Sequence, residues 1–352
     1  MNHEISFSSL SDPIARTVNW SRVSLFVGLT FALTWLLNVG LYLAGGLTSP
    51  TASVVLVTQM LLPAFFAILL ETFVFTDSRL YFKVYRGPAR LFTYYYLGST
   101  QLLIAATVVL LAAPALVNPV ATIQAVLVVA GTLVIIVTRW RGGKGTYSDA
   151  GMAGGALRWW LILGLGLLAY FALSTFLNAV FKLGNPVDLS TISPEETAKG
   201  WSPFAIQASM FFNFIILGPL LNIMGFFGEE YGWRGFLQRS LEQLGRVKGA
   251  LLVGVLWGIW QFPLILMGYN YPGTPILGML LMTIFCIEFA FFLAYAVYKS
   301  KGVWTAAFLH AINNNAVPFF FGVIFVPSSK ILSFGMGVFG LAVMAVIVLF
   351  LL

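Results

Sequence analysis

Long apolar runs separated by short polar segments dominate the chain. Runs of about 18 or more apolar residues read as membrane spans. Ten stretches are candidates: 23–44, 52–75, 93–114, 122–138, 159–181, 204–227, 249–268, 275–297, 303–325 and 331–352, of which 122–138 is short. The pattern predicts an all-α fold, a polytopic membrane helix bundle of about ten transmembrane helices (8–10), preceded by a polar tail over 1–22.

The polar segments alternate in charge. Arg16 and Arg22; Arg79, Lys83, Arg86 and Arg90; Arg139, Arg141, Lys144 and Arg158; Arg234, Arg239, Arg246 and Lys248; and Lys299 and Lys301 fall on one side. The other side holds Lys182, Lys199 and Lys330. Sixteen against three fits the positive-inside rule, which puts the N-terminus in the cytoplasm and, with ten spans, the C-terminus too. No cleavable signal peptide is expected: Glu4 and Asp12 lie within the first 20 residues, and the first apolar run exceeds an h-region of about 7–15 residues. The largest polar insertion, 182–202, reads as an outer loop or a short interfacial helix.

Composition sharpens the class. Of 352 residues, 59% are hydrophobic and 9% charged, against roughly 45–50% and about 25% in soluble domains. One soluble core of this length cannot hide so much apolar surface. Soluble enzymes, nucleic-acid readers and secreted disulfide scaffolds are excluded. The single cysteine, Cys286, lies in an apolar run and reads as a small hydrophobe. The net charge of +7 is explained by the loops rather than by a nucleic-acid partner. Glycines such as Gly164, Gly166, Gly335, Gly337 and Gly340 read as close helix contacts.

Ionisable groups inside spans are costly and are functional hypotheses by default. Polar groups stand out at Glu71, Glu229 with Glu230, Gln261, Glu288, and His310 with Asn314. Glu71 is expected to snorkel or pair with Arg79. Glu288, in CIEFAFF, has no sequence neighbour of opposite charge and calls for a polar group on another helix. The densest constellation is GEEYGWRGFL over 228–237. Glu230 and Arg234, four apart with the acid first, share a helix face and can pair. Glu229 points about 100° away and lacks that partner. A carboxylate deprived of solvent and counter-charge suits a general base; the other reading is a charge cluster on the cytoplasmic rim.

His310 and Asn314 also share a face, so an imidazole and a carboxamide can converge and donate to a developing oxyanion. The other reading is asparagines joining helices around a buried histidine. In LWGIWQFPL over 256–264, Pro263 should kink or end the helix just after Gln261. That aromatic turn is equally compatible with plain packing.

Taken in order, these segments resemble the CPBP family of intramembrane proteases, which includes type II CAAX prenyl endopeptidases and bacteriocin-processing proteins. The family's motifs are EExxxR, FxxxH and HxxxN on successive membrane helices. Glu229, Glu230 and Arg234 match the first, in the setting GEExGWRG, and His310 and Asn314 match the third. The second reads Trp257-Gly258-Ile259-Trp260-Gln261, with glutamine in place of the family histidine inside an otherwise family-like WGIWxxPL. The resemblance covers about 200–325. It implies a CPBP-like catalytic core over 201–325, preceded by transmembrane helices over 23–200 and followed by a helix at 331–352.

The resemblance further implies that Glu229 activates a water, that Glu230 pairs with Arg234 and shapes the site, and that His310, Asn314 and Gln261 hold oxyanion or water. His3 and His310 are the two histidines of the chain, so a His/His/Glu zinc site cannot be assembled in the membrane. No metal and no other cofactor is expected. The expected function is a glutamic-type intramembrane endopeptidase of a prokaryotic cell membrane. It would cut a peptide or membrane-protein substrate in a polar cavity near the cytoplasmic leaflet, with the lipid bilayer as its surroundings.

Gln261 opens an alternative, a weakened or inactive pseudoprotease acting in binding or bacteriocin immunity. Its amide can donate a hydrogen bond but cannot take and return a proton. A carrier using Glu71, Glu230 and Glu288 is the third reading; the lack of an internal repeat and of paired broken helices stands against it. The first five spans carry no motif.

Overall fold

Helix starts follow local signals in the chain. The Asn19 side chain accepts from the Arg22 backbone N–H at 3.2 Å. Ser202 accepts from the Ala205 N–H at 3.2 Å, and Pro203 follows it in the first helical turn. This computed structural model describes residues 17–143 and 145–351. The tail up to position 16, with His3, Glu4, Asp12 and Arg16, lies outside the described residues, as do Lys144 and Leu352.

Among the described residues, eight helices are long and apolar enough to cross a membrane: α1 (Trp20–Leu43), α2 (Ala52–Val74), α3 (Arg90–Ala112), α4 (Pro114–Gly142), α5 (Leu157–Val180), α6 (Pro203–Gln238), α8 (Pro275–Ser300) and α9 (Val303–Ile324). Two more apolar helices, α7 (Arg246–Trp260) and α10 (Val338–Leu351), are shorter. The protein is an integral, multi-pass membrane protein with an all-α bundle.

The runs 249–268 and 331–352 thus fall short of the full spans expected of them. The 15 residues of α7 reach ~22 Å at 1.5 Å per residue, against a hydrocarbon core of about 30 Å. Gln261 then forms a turn and the chain resumes as the short helix Phe262–Leu266, the break that Pro263 predicts. The expected short span at 122–138 is instead part of a 29-residue helix. α6 runs 36 residues, past its expected end at 227, because GEEYGWRG stays helical; its last turns, Tyr231–Gln238, widen to π geometry.

The loops sort to two ends. At the basic end, Arg22 pairs with Asp77, the Ala156 N–H donates to the Ser300 carbonyl at 2.9 Å and the Trp304 N–H to that of Ala153 at 3.4 Å. At the other end β1 (Gly184–Pro186) pairs antiparallel with β2 (Phe325–Pro327). There the Tyr271 hydroxyl donates to the Met336 carbonyl at 2.8 Å. The 182–202 insertion holds β1 and two short helices, Leu189–Ile192 and Pro194–Ala198.

Two pairs of glycines set the approach of the helices that carry the site. A Cβ on Gly228 would lie 2.8 Å from the Leu61 Cα, and one on Gly232 2.8 Å from the Pro63 Cα, so α6 lies directly on α2. On α7, a Cβ on Gly254 would lie 2.5 Å from the Ile287 Cα and one on Gly258 2.7 Å from the Thr283 Cα, both on α8. Each pair is spaced by four, the small-residue face that lets membrane helices meet backbone to backbone. The packing reading of the sequence holds at Gly164, where a Cβ would lie 3.2 Å from the Phe308 ring, and fails at Gly166, where a Cβ would meet nothing within 4 Å.

Candidate active site

Because α6 stays helical past residue 227, the EExxxR segment lies inside the bundle. Glu229, Glu230 and Arg234 are 3%, 0% and 1% exposed, which rules out the charge cluster on the rim. Arg234 Nη1 donates to Glu230 Oε1 at 3.0 Å, the pairing expected from their spacing. His310 reaches the same oxygen from α9, its Nδ1 lying 2.8 Å from Glu230 Oε1. Glu230 therefore joins a guanidinium on its own helix to an imidazole on another.

Glu229 differs in its surroundings. It forms no ion pair among the described residues, yet it is not left without a partner. The Trp257 indole N–H donates to its Oε2 at 2.8 Å. The same indole lies under the Arg234 guanidinium, whose Cζ is 4.5 Å from the ring centroid, a cation–π distance. Trp257 thus bonds one member of the motif and stacks on another. Sequence spacing along α6 cannot show this, because the partner comes from α7.

His310 is enclosed by Phe226, Trp257 and Phe289, with ring centroids 5.2, 5.2 and 5.9 Å away. Facing a carboxylate, Nδ1 carries the proton. In the neutral ring Nε2 is then an acceptor, and it becomes a donor when the ring is charged. The expected convergence of His310 and Asn314 is not what holds the imidazole. Its partner is Glu230, while the Asn314 Oδ1 accepts from Asn313 Nδ2 at 3.0 Å.

Glu229, Gln261, His310 and Asn314 line one cavity of about 500 Å³. Glu230 and Arg234 stand behind its wall. The side chain of Gln261 forms no hydrogen bond among the described residues, and its backbone N–H donates to the Gly258 carbonyl at 3.1 Å. The indole N–H of Trp260, next to Gln261, donates to Thr34 Oγ1 of α1 at 2.9 Å, which braces the turn. Among the described residues no group of three or more His, Cys, Asp or Glu is placed to hold a metal ion.

The cavity has walls that sequence reasoning missed. Leu56, Gln59 and Met60 of α2 line it. Gln59 is 3% exposed, and its Oε1 has no hydrogen-bond partner among the described residues. An amide in the apolar run VTQMLLP was the available signal for it, of the same kind as Gln261. The cavity extends to the loop 267–274 and to 325–337, through Tyr269, Asn270, Val326 and Lys330. That is the end opposite the basic loops.

Two singled-out acids lie elsewhere. Glu71 does not pair with Arg79; it accepts from the Tyr231 hydroxyl at 2.7 Å and from Arg239 Nη2 at 3.3 Å. Glu288 is 8% exposed, its Oε2 has no hydrogen-bond partner among the described residues, and it does not line the cavity.

Fold and site together define a helical membrane protein with a buried carboxylate, outside any ion pair among the described residues, at a polar cavity. Residues 211–316 match the family model described as Type II CAAX prenyl endopeptidase Rce1-like. A stretch of 44 residues is 41% identical to CAAX prenyl protease 2 of Methanococcus maripaludis, covering 12% of this chain and 16% of that protein. The chain therefore aligns with about a sixth of that relative's length. No solved structure matches. Residues 211–316 are thus similar to that family, in agreement with the resemblance read from the three motifs.

Proposed function

We propose that this protein is an intramembrane endopeptidase in which Glu229 activates a water against a peptide bond of a membrane-associated peptide or protein. The observation that carries the reading is the contrast between two adjacent carboxylates. Glu230 is engaged by Arg234 and His310, whereas Glu229 faces the cavity with a single indole donor. Engaged carboxylates shape a site; a free one takes a proton.

In this reading Glu229 removes a proton from water as the oxygen attacks the carbonyl carbon, and later delivers it to the leaving amine. Amide N–H groups of Gln261 and Asn314 stabilise the oxyanion. His310, fixed through Nδ1, orients water with Nε2. Zinc has no part in it, because Glu230 and His310 hold each other and position 261 supplies an amide. A second reading, a pseudoprotease that binds peptides, is favoured by Gln261, which stands in the cavity without the proton-transfer capacity of histidine.

The test is cleavage of a mixed peptide library by purified protein, with and without a chelator, beside Glu229→Gln and Gln261→His. The protease reading expects cleavage that ignores the chelator and falls about 10²–10⁴-fold in Glu229→Gln, the usual contribution of a positioned general base. Cleavage by Gln261→His alone establishes the pseudoprotease. Chelator-sensitive cleavage overturns the glutamate-water mechanism.

A further inference from the structure

The cavity wall holds two buried side-chain oxygens with no partner among the described residues, Gln59 Oε1 and Asn313 Oδ1. Both residues are 3% exposed. Buried polar groups are paired in the great majority of cases, so each orphan calls for an explanation. In a membrane the demand is stricter, since polar side chains within spans either join helices or line a cavity.

Gln124 shows the first of these roles. It is 6% exposed on α4, and its Nε2 donates to the Val54 carbonyl at 3.0 Å and to Thr58 Oγ1 at 2.9 Å. Thr58 Oγ1 in turn lies 2.9 Å from Thr107 Oγ1 of α3. That amide joins three helices. Gln59 follows Thr58 about 100° round α2, and its Oε1 bonds to nothing among the described residues. It sits instead with Leu56 and Met60 on the face of α2 that lines the cavity.

The backbone fixes where this face lies. A Cβ on Gly228 would lie 2.4 Å from the Met60 carbonyl oxygen, and the Tyr96 hydroxyl donates to the Leu61 carbonyl at 3.0 Å. Both contacts hold α2 at the level of Gly228, the neighbour of Glu229. Asn313 comes from α9, three residues after His310, and its Nδ2 is taken up by Asn314 Oδ1. α6 packs against both α2 and α9. Glu229 therefore has an unfilled acceptor on each of two helices that pack against its own.

An acceptor without a partner calls for a donor. A peptide main chain offers one N–H per residue, and only an extended segment has these free, because in a helix the chain's own carbonyls take them. We infer that Gln59 and Asn313 bind the main chain of the substrate, their side-chain oxygens accepting from two peptide N–H groups and laying an extended segment across Glu229. Such contacts read backbone rather than side chains. They also bring α2, which lies outside residues 211–316, into the site. Calling the occupant a substrate rests on the protease reading; main-chain binding does not.

Ester substitution tests this, because an ester replaces a peptide N–H by oxygen with little change of shape. From a library of capped apolar octapeptides, the sequence best retained by the purified full-length protein in detergent is remade with a single ester at each position in turn. Glu229→Gln serves as the background, so that nothing is cut. Esters at two positions are expected to weaken retention by about two- to tenfold each, the usual contribution of one hydrogen bond. Gln59→Leu should abolish the penalty at one position and Asn313→Leu at the other. Penalties that persist in both variants overturn the inference, as does a library from which the background protein retains nothing. Where the penalties behave as expected but the parent with Glu229 cuts no peptide, main-chain binding stands and the protease reading falls. Thermal unfolding separates binding from support. Gln59→Leu deletes an amide whose oxygen bonds nothing and should melt no lower than the parent, whereas Gln124→Leu breaks two hydrogen bonds and should melt lower. A melting point as low in Gln59→Leu as in Gln124→Leu makes Gln59 a strut and overturns the inference.

Discussion

At the scale of single residues the site turns on Trp257, which hydrogen-bonds Glu229 and stacks on Arg234. Trp257→Phe keeps a ring under the guanidinium and removes the N–H. A hydrogen bond to a charged group contributes about 1.5–3 kcal/mol, so cleavage per folded molecule should fall roughly tenfold to a hundredfold, and the melting temperature should drop as the buried Glu229 loses its indole donor. Peptide turnover and thermal unfolding in detergent, measured side by side, check this; unchanged turnover would remove Trp257 from the positioning of Glu229. The two carboxylates should part company in the same assay. Arg234→Ala leaves Glu230 buried with only His310, and breaking a buried pair costs about 3–5 kcal/mol, so unfolding should come at markedly lower temperature. Glu229→Gln breaks no ion pair, keeps a side-chain oxygen for the indole N–H, and should lose turnover with its melting point intact. Spacing alone made the Glu230–Arg234 pair legible, because partners four apart share a helix face. It could not show the role of Trp257, which comes from another helix.

At the scale of elements, the apolar runs located every helix long enough to cross a bilayer, since length and hydropathy decide what can do so. What they misjudged was where polar sequence stays helical. The apolar count ends α6 near 227, but the glycines of GEEYGWRG let the helix continue against α2 with its charges turned inward. A run of apolar residues also says nothing about which helix forms a wall, and so the Gln59 amide was the one sign that α2 contributes to the cavity. Gly232 tests the point. Gly232→Val would drive a branched side chain into Pro63, and overpacking of this kind costs about 1–3 kcal/mol. The variant should unfold at lower temperature and cut more slowly, since α6 must move off α2 and carry Glu229 with it. Gly166→Val is the control. Nothing lies within 4 Å of that position, and both readouts should match the parent.

At the scale of the whole molecule the acids left outside the cavity do different work from the one that lines it. Glu71 joins α2 to α6 through Tyr231 and Arg239. A carrier would need such an acid on its path, whereas the present reading makes it a brace. Glu71→Ala removes the acceptor for the Tyr231 hydroxyl and the partner of Arg239, groups whose loss costs about 1–3 kcal/mol when left buried. The expected outcome is a lower melting temperature with turnover per folded molecule unchanged, because Glu229, Trp257 and His310 keep their contacts. Glu288→Gln, away from the cavity, should leave turnover unchanged as well. Chymotrypsin digestion adds a readout specific to the brace: the 145–156 loop, tied down by the Tyr231–Ala150 contact, should be cut faster after the buried Tyr147 in Glu71→Ala than in the parent. A large loss of turnover in either acid variant, with stability and protection intact, would instead place that acid in the reaction path. The division between a bracing acid and a reacting one would then have to give way to a path running through the bundle.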